Sequence, residues 1–142
     1  MAKLYFKYGV MGCSKSAQAL ITKFNYEERG MKVLLVKPAI DTRDGKDIVK
    51  SRIGLAAEAF AVTSDENLYK FYAEKHRDND VIIVDECQFL TTEQVDQLGD
   101  IVIDFNVPVL CFGLACDFTN HLFEGSKRLF EIAESVAEIK SV

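Results

Sequence analysis

Tyr8-Gly9-Val10-Met11-Gly12-Cys13-Ser14-Lys15-Ser16 follows the short apolar run Leu4-Tyr5-Phe6 and opens a segment of helical spacing. The stretch matches a phosphate-binding loop in all but one letter. That loop is written Gly, four residues, Gly-Lys-Ser/Thr, because a turn of bare backbone N–H groups at a helix N-terminus can wrap phosphate oxygens. The lysine adds a point charge on the outer phosphates, and the hydroxyl binds magnesium. Gly9, Lys15 and Ser16 stand at the required spacing, and Ser14 occupies the place of the second glycine. If that place needs left-handed dihedrals, a serine costs about 1–2 kcal/mol there, and weakened nucleotide binding is expected. Alone, the stretch reads equally well as a glycine-containing turn between a strand and a helix.

A second element settles the choice. Val81-Ile82-Ile83-Val84-Asp85-Glu86 is an apolar, β-branched run that ends in two adjacent carboxylates. A strand buried on both faces has this character, and ligands in α/β folds gather at the carboxyl ends of such strands. Asp85 is therefore expected beside the phosphate loop, where it can hold Mg2+ with Ser16. Glu86 is expected to turn toward the substrate.

Around these two segments, strands and helices alternate. Apolar strand candidates are 3–7, 32–37, 81–84 and 107–113. Helix candidates are 16–29, 65–76, 92–105 and a helix within 123–138 that ends before a short last strand. The pattern predicts an α/β domain of the P-loop NTPase kind, with a mostly parallel sheet and helices on both faces. Residues 39–54 lack periodicity and read as a mobile polar loop near the phosphates. At 142 residues and 49% hydrophobic the chain makes one domain with a sizeable core. Its 17 basic and 22 acidic residues give −5 with no basic block, which argues against nucleic acid as a partner. No stretch is apolar enough to span a bilayer, and the expected location is cytoplasmic. The four cysteines, Cys13, Cys87, Cys111 and Cys116, form no C-x-x-C pair. They are read as reduced thiols, with no disulfide frame or zinc site.

Ordered motifs along the whole chain extend the reading. They are Gly9-Val10-Met11, Asp41-Thr42-Arg43, Asp85-Glu86-Cys87-Gln88-Phe89, Gly113-Leu114-Ala115-Cys116-Asp117-Phe118 and Leu122-Phe123-Glu124-Gly125-Ser126. In these the chain resembles the thymidine kinases of the second, cytosolic type. The resemblance implies transfer of the γ-phosphoryl group of ATP to the 5′-hydroxyl of thymidine or deoxyuridine. It implies that Gly9, Val10, Met11, Gly12, Cys13, Ser14, Lys15 and Ser16 hold the nucleotide together with Asp85, Glu86, Cys87 and Gln88. Ser16 and Asp85 would hold Mg2+, Arg43 would meet charge on the transferred group, and Glu86 would take the hydroxyl proton.

For the thymine ring the resemblance implies Met11, Phe89, Leu114, Phe118 and Phe123. Taken singly, Met11 and Leu114 read as core, whereas the three phenylalanines follow strand ends and read as site. The resemblance also implies a homo-oligomer, a tetramer in the family, and feedback inhibition by dTTP. Residues 1–142 correspond to the family's kinase core. The family continues past the position of Val142 with a cysteine-rich zinc segment and a lasso loop, which this chain is expected to lack, so zinc is not expected in it. The competing expectation is a catalytically silent ATP-binding module of the same fold.

Overall fold

A computed structural model describes residues 1–10, 15–39, 48–51 and 53–140. Six strands form one sheet: β1 (Leu4–Gly9), β2 (Val33–Pro38), β5 (Phe60–Val62), β6 (Val81–Val84), β7 (Val109–Leu114) and β8 (Ser135–Glu138). Their order is β5-β2-β6-β7-β1-β8, and every neighbouring pair is parallel. α1 (Lys15–Glu28) covers one face. α2 (Leu68–Lys75), α3 (Thr92–Phe105) and α4 (Glu124–Ile132) cover the other.

The strands' alternation builds two cores. Leu34, Val36, Ile82 and Val84 meet Leu68, Tyr72, Val95, Leu98 and Leu129 on the three-helix face. Leu35, Val81, Ile83, Leu110 and Phe112 meet Ala19 and Leu20 of α1 on the opposite face. Because both faces are covered, β6 and β7 are buried along their whole length, which is why they read as unbroken apolar runs. Phe6 and Phe112 are fully buried, and burial of such side chains stabilises by about 1.5–3 kcal/mol each.

Local chemistry fixes the ends of the helices. Thr91 and Gln94 form a reciprocal capping box at the start of α3, and Asn106 closes it in the left-handed region. Asn67 caps α2 by accepting from the Lys70 N–H, so that helix begins at Leu68 rather than at Asp65. α4 stops at Ile132, and the chain enters β8 three residues later.

The stretch read as a polar loop is partly structured. β3 (Ile48–Lys50) pairs antiparallel with β4 (Ala56–Glu58), and Val49 is buried among Ala19, Leu35 and Ala59 on the α1 face. Three residues are too few to show a period, so neither this hairpin nor the edge strand β5 was visible in the sequence. Residues 40–47 lie outside the described residues.

Candidate functional site

β7 lies between β1 and β6. The chain segments leaving these three strands therefore emerge side by side along one rim of the sheet. Gly9 ends β1 opposite Leu114, which ends β7, and Val10 points to solvent. Met11, Gly12, Cys13 and Ser14 lie outside the described residues, as do Asp41 and Arg43. Lys15 and Ser16 are the first two residues of α1, whose N-terminal end, through its backbone N–H groups and dipole, favours an anion.

Both side chains reach the residues that follow β6. Ser16 Oγ donates to Asp85 Oδ2 at 2.8 Å, and Lys15 Nζ pairs with Glu86 Oε1 at 3.0 Å. Asp85 is held at the strand end by its own N–H on Val36 O at 2.9 Å, and it is buried. Its Oδ1 is buried with no hydrogen-bond partner among the described residues. Burial pushes the Asp85 carboxyl above its ordinary range, opposed by Lys15, reinforced by the Glu86 charge and opposed again by the Ser16 hydrogen bond. A hydroxyl and a carboxylate with one unpartnered oxygen form a hard-oxygen donor set, and this set fits Mg2+, which takes few protein ligands and completes its shell with water and phosphate.

Glu86 has φ 55 and ψ 38, the left-handed region. A residue with a Cβ costs about 1–2 kcal/mol there, and such strain at a strand end re-aims the side chain. The carboxylate is consequently brought back over the rim, where Oε1 meets Lys15 and Oε2 accepts from Gln88 Nε2 at 2.7 Å. Gln88 Oε1 in turn accepts from the Leu114 N–H at 3.1 Å. Cys87, the first residue of a short 3-10 turn (Cys87–Phe89), directs its thiol into the core, where burial raises its pKa well above the ordinary value. Among the residues expected at the nucleotide, the Cys87 side chain is thus turned into the core and that of Gln88 toward Glu86 and Leu114.

The aromatic side of the rim is looser. Phe89 is 38% exposed and meets Phe123 edge to face at 5.5 Å. Leu114 is 9% exposed; its carbonyl accepts from Ser126 Oγ. Phe118 is 89% exposed. It stands on a turn organised by Asp117, whose Oδ1 accepts from the N–H and hydroxyl of Thr119 and from the His121 N–H. Those hydrogen bonds also hold the Asp117 carboxyl below its usual range.

Two glycines make this packing possible. A Cβ on Gly113 would fall 2.4 Å from Gln88 Oε1, and one on Gly125 would fall 2.4 Å from Cys87 O and 2.8 Å from Leu90 O. The supporting parts played by Gly113, Gly125 and Ser126 were absent from the sequence reading. The only signal available was the presence of small residues inside motifs otherwise rich in aromatic ones.

The chain as a whole has counterparts among known proteins. The family model described as thymidine kinase matches residues 2–142. The thymidine kinase of Enterobacteria phage T4 is 52% identical over 144 residues, an alignment that covers 100% of this chain and 75% of that protein. The enzyme of the same name from Zymomonas mobilis is 49% identical, with the same coverage, and that of Streptococcus pyogenes serotype M3 is 44% identical over 142 residues. Among solved structures, a DNA replication initiation factor superposes with a TM-score of 0.54 at 12% identity, over 99% of this chain and 40% of that one. At that identity the likeness is one of fold alone.

Proposed function

The chain belongs to the thymidine kinase family, a phosphotransferase family acting on an alcohol group with ATP, and from that premise we propose how its own residues divide the work. The observation that carries the proposal is the double contact of Lys15 and Ser16 with Glu86 and Asp85 along one rim of the sheet. Phosphoryl transfer passes through a loose transition state, so positioning and charge stabilisation supply most of the catalysis.

Lys15 and the backbone of residues 9–16 hold the ATP phosphates at the N-terminus of α1. Ser16 and Asp85 are the residues that would hold Mg2+, which when bound neutralises charge on the phosphate oxygens. On ATP binding the Lys15 ammonium exchanges Glu86 Oε1 for phosphate oxygen. Oε1 is then open to the 5′-hydroxyl of thymidine or deoxyuridine and takes its proton as the nucleoside oxygen bonds to the γ-phosphorus and the bond to the β,γ-bridging oxygen breaks. Arg43 meets the charge on the transferred group. Phe89, Phe118 and Phe123, with Leu114 and Met11, hold the pyrimidine ring, and residues 1–142 serve as one kinase core.

The family resemblance further supports assembly as a tetramer, feedback inhibition by dTTP and work in the cytoplasm. No helix among the described residues is long and apolar enough to cross a membrane.

The test is ADP release with and without thymidine. Release that depends on thymidine is the expected result. Equal release in both conditions would mark an ATPase, and retained ATP binding without release would mark a silent nucleotide-binding module.

A further inference from the structure

Gln88 is a buried amide, 2% exposed, in the turn that follows the catalytic carboxylates. Its orientation is fixed by chemistry. The Leu114 N–H can only donate, so the atom facing it at 3.1 Å is the carbonyl Oε1. The Glu86 carboxylate can only accept, so the atom at 2.7 Å from its Oε2 is the amide Nε2. The β7 backbone approaches closely enough for this because residue 113 is glycine; any Cβ there would collide with the amide oxygen.

The consequence appears when ATP arrives. Before binding, the Glu86 carboxylate has two anchors, Lys15 on Oε1 and Gln88 on Oε2. Phosphate takes Lys15 away at the moment the carboxylate is needed as a base. A glutamate freed of its anchors regains rotamer freedom, and Glu86 already sits on a left-handed backbone position. Among the described residues, Gln88 is what then remains to hold it.

We infer that Gln88 is a positioning residue, which pins Glu86 Oε2 to the end of β7 and thereby reserves Oε1 for the nucleoside hydroxyl. The inference rests on the proposed role of Glu86 as base. It also links that base to the wall of the nucleoside pocket, because the same amide holds the Leu114 backbone.

The test is steady-state kinetics of Gln88→Met, which keeps the length of the side chain and removes both hydrogen bonds, alone and combined with Glu86→Gln. A misplaced base costs on the order of 10–100-fold in rate. That loss is expected in kcat, with the KM for ATP moving less than about twofold. In the Glu86→Gln background the same substitution should cost less than about twofold more, because residues that act as a unit are not additive.

Gln88→Glu is the second variant, should Gln88→Met not fold. It retains an acceptor for the Leu114 N–H and loses the donor to Glu86, and the same kcat loss is expected. An unchanged kcat, or a loss repeated in full when Glu86 is already glutamine, would overturn the inference. If Glu86→Gln alone keeps the parent turnover, the role of Glu86 as base falls and this inference falls with it. If Glu86→Gln is inactive while both Gln88 variants turn over normally, this inference alone is wrong.

Discussion

At the start of α1, Lys15 and Ser16 already touch the carboxylates that follow β6, and each oxygen of Glu86 has a partner. Beyond Leu114, Phe118 stands almost fully exposed on a turn held, among the described residues, by hydrogen bonds within residues 117–121. The difference fits what the proposed function asks of each end. Phosphate oxygens and a proton demand fixed donors and a fixed base, since electrostatic stabilisation acts without reorganisation only when the groups are preset. A flat pyrimidine ring offers two faces on which aromatic side chains can stack as they close, and that contact itself contributes stabilisation. One rim thus combines a constrained side around Asp85 and Glu86 with a more open aromatic side.

The sharpest way to break this comparison is Glu86→Gln. Loss of a general base costs roughly 10²–10⁴-fold in turnover, and ATP affinity measured on the same sample should be retained. Turnover equal to the parent would remove Glu86 from the role of base.

Gly125→Ala tests the packing beneath both ends, since the added Cβ meets the carbonyl oxygens of Cys87 and Leu90, which are backbone and cannot swing aside. Overpacking of this kind costs about 1–3 kcal/mol, to be read as a lower denaturant midpoint. A variant as stable as the parent would show that the 3-10 turn yields freely.

A smaller effect is expected from Asp85→Asn, followed as unfolding free energy against pH in the absence of Mg2+. Burial raises the Asp85 carboxyl above its ordinary value of 3.8, so the folded state holds the proton more tightly than the unfolded chain. The stability this contributes is present below the ordinary value and is lost as pH rises through the raised one. Relative to Asp85→Asn, the parent should therefore lose stability as pH climbs out of the acid range. Parallel curves would contradict the direction of the shift.

Phe118→Ala should change stability by no more than about 0.5 kcal/mol, as for exposed positions generally, while raising the KM for thymidine. A large loss of stability would mean that Phe118 is structural.

How far the sequence anticipated all this depended on the kind of signal. Val81–Val84 and Thr92–Phe105 coincide with the observed β6 and α3, because an apolar run with covered faces and the helical spacing of Val95, Leu98, Ile101, Val102 and Phe105 are clear local codes. The pairing of Lys15 and Ser16 with Glu86 and Asp85 was anticipated only as proximity, through motif order. β3, β4 and β5 have three residues each and carry no period. Glu86 gave no hint of its left-handed backbone, since glutamate is not among the residues that favour that region. The direction of the Gln88 amide was equally hidden, because it depends on a glycine 25 positions away in sequence, Gly113, whose missing Cβ leaves the space.

Amide hydrogen exchange of the chain with ATP alone, thymidine alone and neither tests most directly whether the two ends are built so differently. The account predicts that thymidine slows exchange across residues 115–123 and that ATP alone does not, while the amides of Asp85 and Leu114, already bonded to Val36 O and Gln88 Oε1, are protected without any ligand. Protection of residues 115–123 in the unliganded protein equal to that with thymidine would contradict it.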